Sequence, residues 1–303
     1  MKMIKTRNHK GYHLPCWLLL LVLVACAACS RGDTPRWSGV ERIVAIGDVH
    51  GDYQQFLAVL KLAGLIDDTA HWTGGRTHLV QTGDVLDRGA ESYRILELLM
   101  QLEKQAEAAG GKVHFLIGNH EAMVLTGNYR YVNPAEIQSL GGQEAYERVM
   151  DPVQGTYGRW IRRHNAIIVI NDILFVHGGL SEAYAKKSLA AVNRRIQREI
   201  AGRRGGMSSD SDGPLWYRGL ALKLEAEIKD HVDALCRHYA IQHLVVGHTV
   251  TKDRITSRLG GRIIMIDVGM SRAYYGNPAA CLVIEKGRFT AFYPDRQEIL
   301  VVR

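Results

Sequence analysis

Five times along this chain, an apolar run of strand length ends in glycine set beside aspartate, asparagine or histidine. The strings are Gly47-Asp48-Val49-His50-Gly51-Asp52, Gly83-Asp84-Val85-Leu86-Asp87-Arg88-Gly89, Gly118-Asn119-His120-Glu121, Val176-His177-Gly178-Gly179 and Gly247-His248. Glycine permits a tight turn and lets a ligand come close to the backbone. Aspartate, asparagine and histidine supply the oxygen and nitrogen donors that suit manganese, iron or zinc. One such string alone is usually a turn, and an isolated buried histidine is usually a satisfied core residue. Five in series, all at strand ends, point to a metal site.

The surrounding pattern is α/β. Strands are expected at Arg42 to Gly47, Thr77 to Gln81 and Val113 to Ile117, with helices at Phe56 to Ile66 and Ala90 to Ala109 between them. Helical inserts follow at Pro134 to Met150 and Thr156 to Arg163. Two strands, Ala166 to Ile170 and Ile173 to Val176, share a tight Asn171-Asp172 turn. A helix is predicted from Ser181, as N-cap, to Ala201, then a long loop from Gly202 to Pro214 and a helix from Leu222 to Tyr239. Strands at His243 to Val246, Arg262 to Asp267, Ala280 to Ile284 and Arg288 to Tyr293 complete the chain. Strand, loop and helix in repetition place chemistry at strand ends.

The order GDxHG, GDxxDRG, GNHE, HGG, GH resembles that of the phosphoprotein phosphatase family of binuclear metallophosphatases, over Ile46 to His248. The run Gly118 to Met123 leading to Gly127-Asn128-Tyr129-Arg130-Tyr131-Val132, with Gly213-Pro214-Leu215-Trp216-Tyr217-Arg218-Gly219, is similar to the Shewanella-like branch. The resemblance implies a calcineurin-like sandwich, two mixed β-sheets flanked by helices. It implies two divalent metal ions, manganese in vitro, with iron or zinc as alternatives. Asp48 and His50 would bind the first metal, Asp84 would bridge, and Asn119, His177 and His248 would complete the second. It makes His120 the general acid, oriented by Asp87, and Arg88 the grip on the phosphate, with Arg218 and Arg130 as further phosphate-binding candidates. Asp267 is expected either to orient a ligand histidine or to form a plain strand-end turn. Eukaryotic members commonly carry arginine just before the GNHE glycine, where this chain has Ile117. That departure agrees with the Shewanella-like branch, whose family-level expectation is phosphotyrosine.

The N-terminus reads differently. Lys2, Lys5, Arg7 and Lys10 precede an apolar run from Trp17 to Val24, the layout of a bacterial secretory signal. That run is too short to span a bilayer, which takes about 20 residues. Leu23-Val24-Ala25-Cys26 resembles a lipobox, with Cys26 as the lipidated residue. Residues 1–25 are therefore read as a lipoprotein signal, 26–41 as a tether and 42–303 as the catalytic domain, held at the envelope, facing the periplasm and monomeric. Losing four basic residues with the signal takes the net charge from +7 to +3. A nucleic-acid partner then loses its compositional support. Arg194, Arg195, Arg198, Arg203 and Arg204 are read as a solvated helix face and loop. Cys236 and Cys281, one helical and one in a strand, are read as two buried thiols.

Three functions compete. The first is a phosphomonoesterase acting on phosphorylated proteins or peptides. The second keeps the metal strings but hydrolyses bis-nucleoside polyphosphates or small phosphoesters. The third is a non-catalytic, metal-stabilised binding module on a lipid anchor, against which the full set of ligands and His120 argues.

Overall fold

The computed structural model describes residues 35–300. The signal, Cys16, Cys26, Cys29 and the tether up to residue 34 lie outside the described residues. Runs such as Ile43-Val44-Ala45-Ile46, Ile167-Ile168-Val169-Ile170 and Ile173-Leu174-Phe175-Val176 are buried at every position. Strands without an alternating polar face need cover on both sides. The fold supplies it with two six-stranded mixed sheets flanked by helices.

The first sheet has the order β12 (Gln297–Ile299), β11 (Arg288–Phe292), β10 (Cys281–Glu285), β2 (Arg42–Ile46), β3 (His78–Gln81), β4 (Lys112–Phe115). Within it β2, β3 and β4 are parallel, in the register Ile43 to His78 and Leu79 to Val113. The second sheet has the order β1 (Arg36–Trp37), β5 (Ile167–Ile170), β6 (Ile173–Val176), β7 (His243–Val246), β9 (Ile263–Met265), β8 (Thr256–Arg258). Here β6, β7 and β9 are parallel. The metal-type strings therefore leave the C-terminal ends of parallel strands in both sheets. Two helices, α1 (Tyr53–Leu62) and α2 (Ser92–Ala108), are the crossovers that parallel pairing demands in the first sheet.

Several expectations shift. The predicted helix from Ser181 starts instead at Leu189, because the Ser188 side chain caps it by accepting from the Ala191 amide. The insert from Pro134 to Met150 is two helices, α4 (Pro134–Ser139) and α5 (Gln143–Val149), separated by Gly141 and Gly142, both at positive φ. Between α2 and α4 lies the short helix α3 (Asn119–Leu125). After α5 come α6 (Thr156–Arg163), α7 (Leu189–Ala201), α8 (Gly219–Leu222) and α9 (Glu225–Tyr239). Arg36 and Trp37, read as tether, form edge strand β1 against Val169 and Ile170. Trp37 also packs on His114, with ring centroids 4.4 Å apart. A two-residue strand has no periodicity to detect, so only its pairing reveals it. Cys236 and Cys281 are unpaired as expected, but only Cys281 is fully buried, with burial pushing its thiol up to about 12; Cys236, on α9, is half-buried. Among the described residues no helix is long and apolar enough to cross a membrane.

One buried acid joins the insert to the frame. Glu136, in the first turn of α4, accepts from Ser92 Oγ (2.8 Å) and the Tyr93 amide (3.0 Å) at the start of α2. Burial outweighs both bonds and pushes its carboxyl up to about 7, from an ordinary value of 4.5. Because the folded value is the higher one, ionisation opposes folding. The stabilisation is complete below about pH 4.5 and declines as pH rises to about 7. Relative to Glu136→Gln, the native protein should lose roughly 3 kcal/mol between pH 5 and 8, at about 1.4 kcal/mol per pH unit. Urea midpoints of the two proteins across this range measure it, and a constant difference between them would refute it.

Candidate active site

Asp48 and His50 leave β2, Asp84, Asp87 and Arg88 leave β3, and Asn119 and His120 open α3 just beyond β4. His177 follows β6 and His248 follows β7. The Gln81 side chain locks the first two loops together. It donates to the Gly47 and Gly83 carbonyls (3.0 Å each) and accepts from the Gly83 amide (2.7 Å). A Cβ on Gly118 would collide with the Asp84 carboxylate and amide, so that turn admits only glycine. His50, Asp84, Asp87, Arg88 and His248 all sit at positive φ, between 41° and 72°. A non-glycine residue is uncommon there, and each such conformation costs about 1–3 kcal/mol unless its surroundings impose it.

Asp84 is the hub. Its Oδ2 lies 3.3 Å from His177 Nε2 and 3.8 Å from both His50 Nε2 and His120 Nε2. Its Oδ1 accepts from the His120 amide at 3.0 Å. Two donor groups share it: His50, Asp84 and His120 on one side, Asp84, His177 and His248 on the other, all buried. Asn119 Oδ1 joins the second at 2.9 Å from His177 Nε2. Asp48 stands beside the first, with Oδ2 4.0 Å from His50 Nε2, while its Oδ1 accepts from the His248 amide.

The tautomers follow from the outer contacts. His50 Nδ1 faces the Leu86 carbonyl (3.0 Å), His177 Nδ1 the Thr82 carbonyl (3.0 Å) and His248 Nε2 the Trp216 carbonyl (3.2 Å). Each ring donates outward, so the other nitrogen turns a lone pair inward. His177 Nε2 and His248 Nδ1 are then 3.2 Å apart as two acceptors, with Asn119 Oδ1 beside them. Converging lone pairs without a proton between them fit a cation. Burial keeps both outer rings neutral: His50 is lowered to about 3, and His248 to about 2 with help from His177. Burial, Asp267 and Asp84 push the Asp48 carboxyl well up, and burial raises Asp267 to about 6. A dry cluster of acids with neutral imidazoles is what a divalent ion neutralises.

His120 differs from the three other rings. Its Nδ1 meets a carboxylate, Asp87 Oδ2, at 2.5 Å. Burial opposes its charged form, but Asp84 and Asp87 outweigh burial and raise its pKa. Arg88 lies half-buried between two aromatic rings, 3.5 Å from the Tyr274 centroid and 5.4 Å from that of Tyr131. No carboxylate lies within ion-pair distance of it among the described residues, and its buried Nε has no partner.

Two predicted groups stand apart. Arg218 Nη1 donates to the His248 carbonyl (2.6 Å) and Thr249 Oγ1 (3.1 Å), bracing the backbone at His248. Arg130 is exposed and stacks on Tyr131 at 4.8 Å. Asp267 accepts from the Gly269 amide and lies against Asp48, not against a histidine. Backbone carbonyls already occupy the outer nitrogens it was expected to orient.

Sequence reasoning passed over three residues. Glu121 is fully buried and accepts from the amides of Asp84 (2.8 Å), Val85 (2.8 Å), Leu86 (3.1 Å) and Gly118 (2.8 Å). Asp52 caps α1 and holds Arg272 bidentately at 2.8 and 2.7 Å, fixing the loop that carries Tyr274. Glu121 and Asp52 were visible as the last letters of their strings. Tyr274 had no local signal, because only the loop's return across β2 brings it to Arg88.

Comparison with known proteins agrees with this geometry. A family profile described as Calcineurin-like phosphoesterase matches residues 41–252. Shewanella-like protein phosphatase 2 of Arabidopsis thaliana is 31% identical, over 78% of this chain and 73% of its own length. Shewanella-like protein phosphatase 1 of Plasmodium berghei is 33% identical, over 82% and 72%. A crystal structure of a cold-active protein-tyrosine phosphatase from a psychrophilic Shewanella species superposes with a TM-score of 0.77 at 32% identity, covering 88% of this chain and 82% of that one. With its donors, strand-end loops and relatives in accord, this chain belongs to the calcineurin-like phosphoesterases, metal-dependent phosphoester hydrolases, and within them to the Shewanella-like protein phosphatases.

Proposed function

We propose that this phosphatase is a two-metal phosphomonoesterase that prefers phosphotyrosine in proteins and peptides. One observation carries the reading: a single buried carboxylate, Asp84, is shared by two donor groups, and one of them includes His120, a ring bound by the Asp87 carboxylate, whose neighbour in the chain, Arg88, has an unpartnered Nε. Asp48, His50 and Asp84 would hold one ion, and Asp84, Asn119, His177 and His248 the other. Such ions, when bound, supply Lewis acidity toward the phosphoryl oxygens and an acidified water.

The chain's own groups do the rest. Arg88 presents its planar fork to the phosphate oxygens, fixing their orientation. His120 holds a proton on Nε2 and delivers it to the leaving oxygen. Asp87, bound to Nδ1, fixes the ring's orientation and stabilises its charged form. Tyr274 and Tyr131 flank Arg88 and make an aromatic rim. An aromatic ester stacks on such a rim, whereas a serine ester offers it nothing. The similarity to a protein-tyrosine phosphatase of a Shewanella species supports the same preference. The lipobox at Cys26, outside the described residues, is the basis for placing the enzyme on a lipid anchor at the bacterial envelope, facing the periplasm.

Four outcomes are expected. Metal analysis should find two ions per native chain and at most one in Asp84→Asn, with turnover at least about a hundredfold lower; full metal content and full activity in that variant would overturn the shared-ligand reading. In the same assays His120→Asn should slow phosphotyrosyl peptide by about a hundredfold or more and 4-nitrophenyl phosphate by less, because nitrophenolate departs without a proton. Native enzyme should favour phosphotyrosyl over phosphoseryl peptide in kcat/KM, and Tyr274→Ala should cut that ratio by about fivefold; an unaltered ratio removes the rim from specificity. Palmitate labelling of the full chain should be lost in Cys26→Ala, and label persisting there would place the lipid elsewhere or nowhere.

A further inference from the structure

Beside the metal-type cluster lies a second cavity, of about 300 Å³, whose lining includes Arg130, Arg204, Ser209 and Ser211. Met123 of α3 and Trp216 form its wall toward the catalytic end. Met123 follows His120 by less than one helical turn, and the Trp216 carbonyl is the one that His248 Nε2 faces. The cavity therefore adjoins the reaction centre. No aspartate or glutamate lines it.

The arginines of this region divide into two kinds. Arg195 holds Glu199 at 2.8 Å and Arg203 holds Asp151 at 2.9 Å. Glu199 is occupied further by the Ser208 amide at 2.8 Å. Arg130 and Arg204 have no carboxylate within ion-pair distance among the described residues. They are the two that face this cavity. Two guanidinium groups and serine hydroxyls, with no acid to compensate them, make an anion-recognising surface. The loop from Gly202 to Pro214, read from sequence as an irregular segment, thus delivers one arginine to a pocket shared with Arg130 from the insert.

We infer that this cavity is a substrate subsite that binds the carboxylate of an acidic side chain close in sequence to the phosphorylated residue. The inference rests on the phosphopeptide reading above and adds a preference for acidic sequences. A peptide is the favoured occupant because the cavity adjoins the aromatic rim through Arg130, which stacks on Tyr131, and sets two guanidinium groups and serine hydroxyls against a single aromatic wall, Trp216, so that a base would find a ring on one side only.

The experiment compares matched phosphotyrosyl peptides, one flanked by glutamates and one by glutamines, with 4-nitrophenyl phosphate as the ester that reaches no subsite. Native enzyme should favour the acidic peptide in kcat/KM by about tenfold at low salt, and the advantage should shrink as ionic strength rises. Arg204→Glu should bring the ratio to about one or below, and Arg204→Lys should restore most of it. Equal kcat/KM for both peptides in native enzyme overturns the subsite while leaving the phosphatase intact. Absence of 4-nitrophenyl phosphate turnover would instead overturn the catalytic reading on which the subsite rests. A stronger preference for diadenosine tetraphosphate that Arg204→Glu abolishes would reassign the same cavity to a second phosphate and overturn the peptide carboxylate.

Discussion

Four backbone amides point at one carboxylate, that of Glu121. They come from two loops, Gly118 from the turn before α3 and Asp84, Val85 and Leu86 from the segment after β3. Charge-assisted bonds of this kind are about twice as strong as neutral ones, and in a dry interior each would be costly to leave unmade. The clamp makes one rigid body of the strings that carry Asp84, Asp87, Arg88, Asn119 and His120. It also accounts for their backbone: Asp84, Asp87 and Arg88 hold positive φ because Glu121 and the Tyr131 carbonyl over-determine the loop. Strain that would otherwise relax is kept, and side chains on loops acquire the precision of side chains on strands.

The same rigidity creates an electrostatic demand. Asp48, Asp84, Glu121 and Asp267 are all buried within one small volume. Burial holds His50 and His248 neutral, so they do not answer these acids by protonation, and backbone carbonyls on the far side of His50, His177 and His248 fix which nitrogen of each ring turns inward. Burial and mutual repulsion accordingly raise Asp48 and Asp267. Divalent cations resolve this conflict directly, so the site is complementary in charge to metal before any substrate arrives. Only His120 breaks the pattern, and the break separates its role: a ring held by a carboxylate can carry positive charge, whereas rings held by carbonyls are arranged to share lone pairs.

Much of this was legible in the chain because the donors are local to strings that end strands. Parallel pairing alone groups Asp48, His50, Asp84 and Asn119 at the end of one sheet and His177 and His248 at the end of the other, and only the packing of the two sheets joins the groups. The six-residue strings were also informative about their supporting letters, yet Glu121 and Asp52 have functions that exist only through distant backbone. Tyr274 and Arg204 are illegible for a related reason: each lies far in sequence from what it faces, on a loop without periodic pattern. The helix that began at Ser188 rather than Ser181 shows the usual competition between equivalent caps, decided by which hydroxyl meets an amide. The two-residue strand at Arg36 was invisible because its information lies entirely in its partner.

The division of labour between frame and inserts explains how substrate choice can vary without disturbing chemistry. Every proposed metal ligand comes from the end of a β-strand or the turn beside it, where the two sheets and Glu121 hold position. Every group proposed to meet the substrate beyond its phosphate comes from longer segments: Tyr131 and Arg130 from the stretch after α3, Arg204 from the loop after α7, Tyr274 from the loop after β9. Those segments are anchored at a few points, Asp52 to Arg272 and Glu136 to α2 among them, and by buried residues such as Met207 and Met270, while Arg130, Tyr131, Arg204 and Tyr274 stay exposed. Substitutions there alter what is recognised while leaving the donors untouched. Ile117 belongs to the opposite case. It is fully buried between β4 and the Gly118 turn, where an arginine would place charge inside the frame itself. The cationic groups proposed for recognition, Arg88 at the centre and Arg130 and Arg204 at the rim, lie outside the packed core.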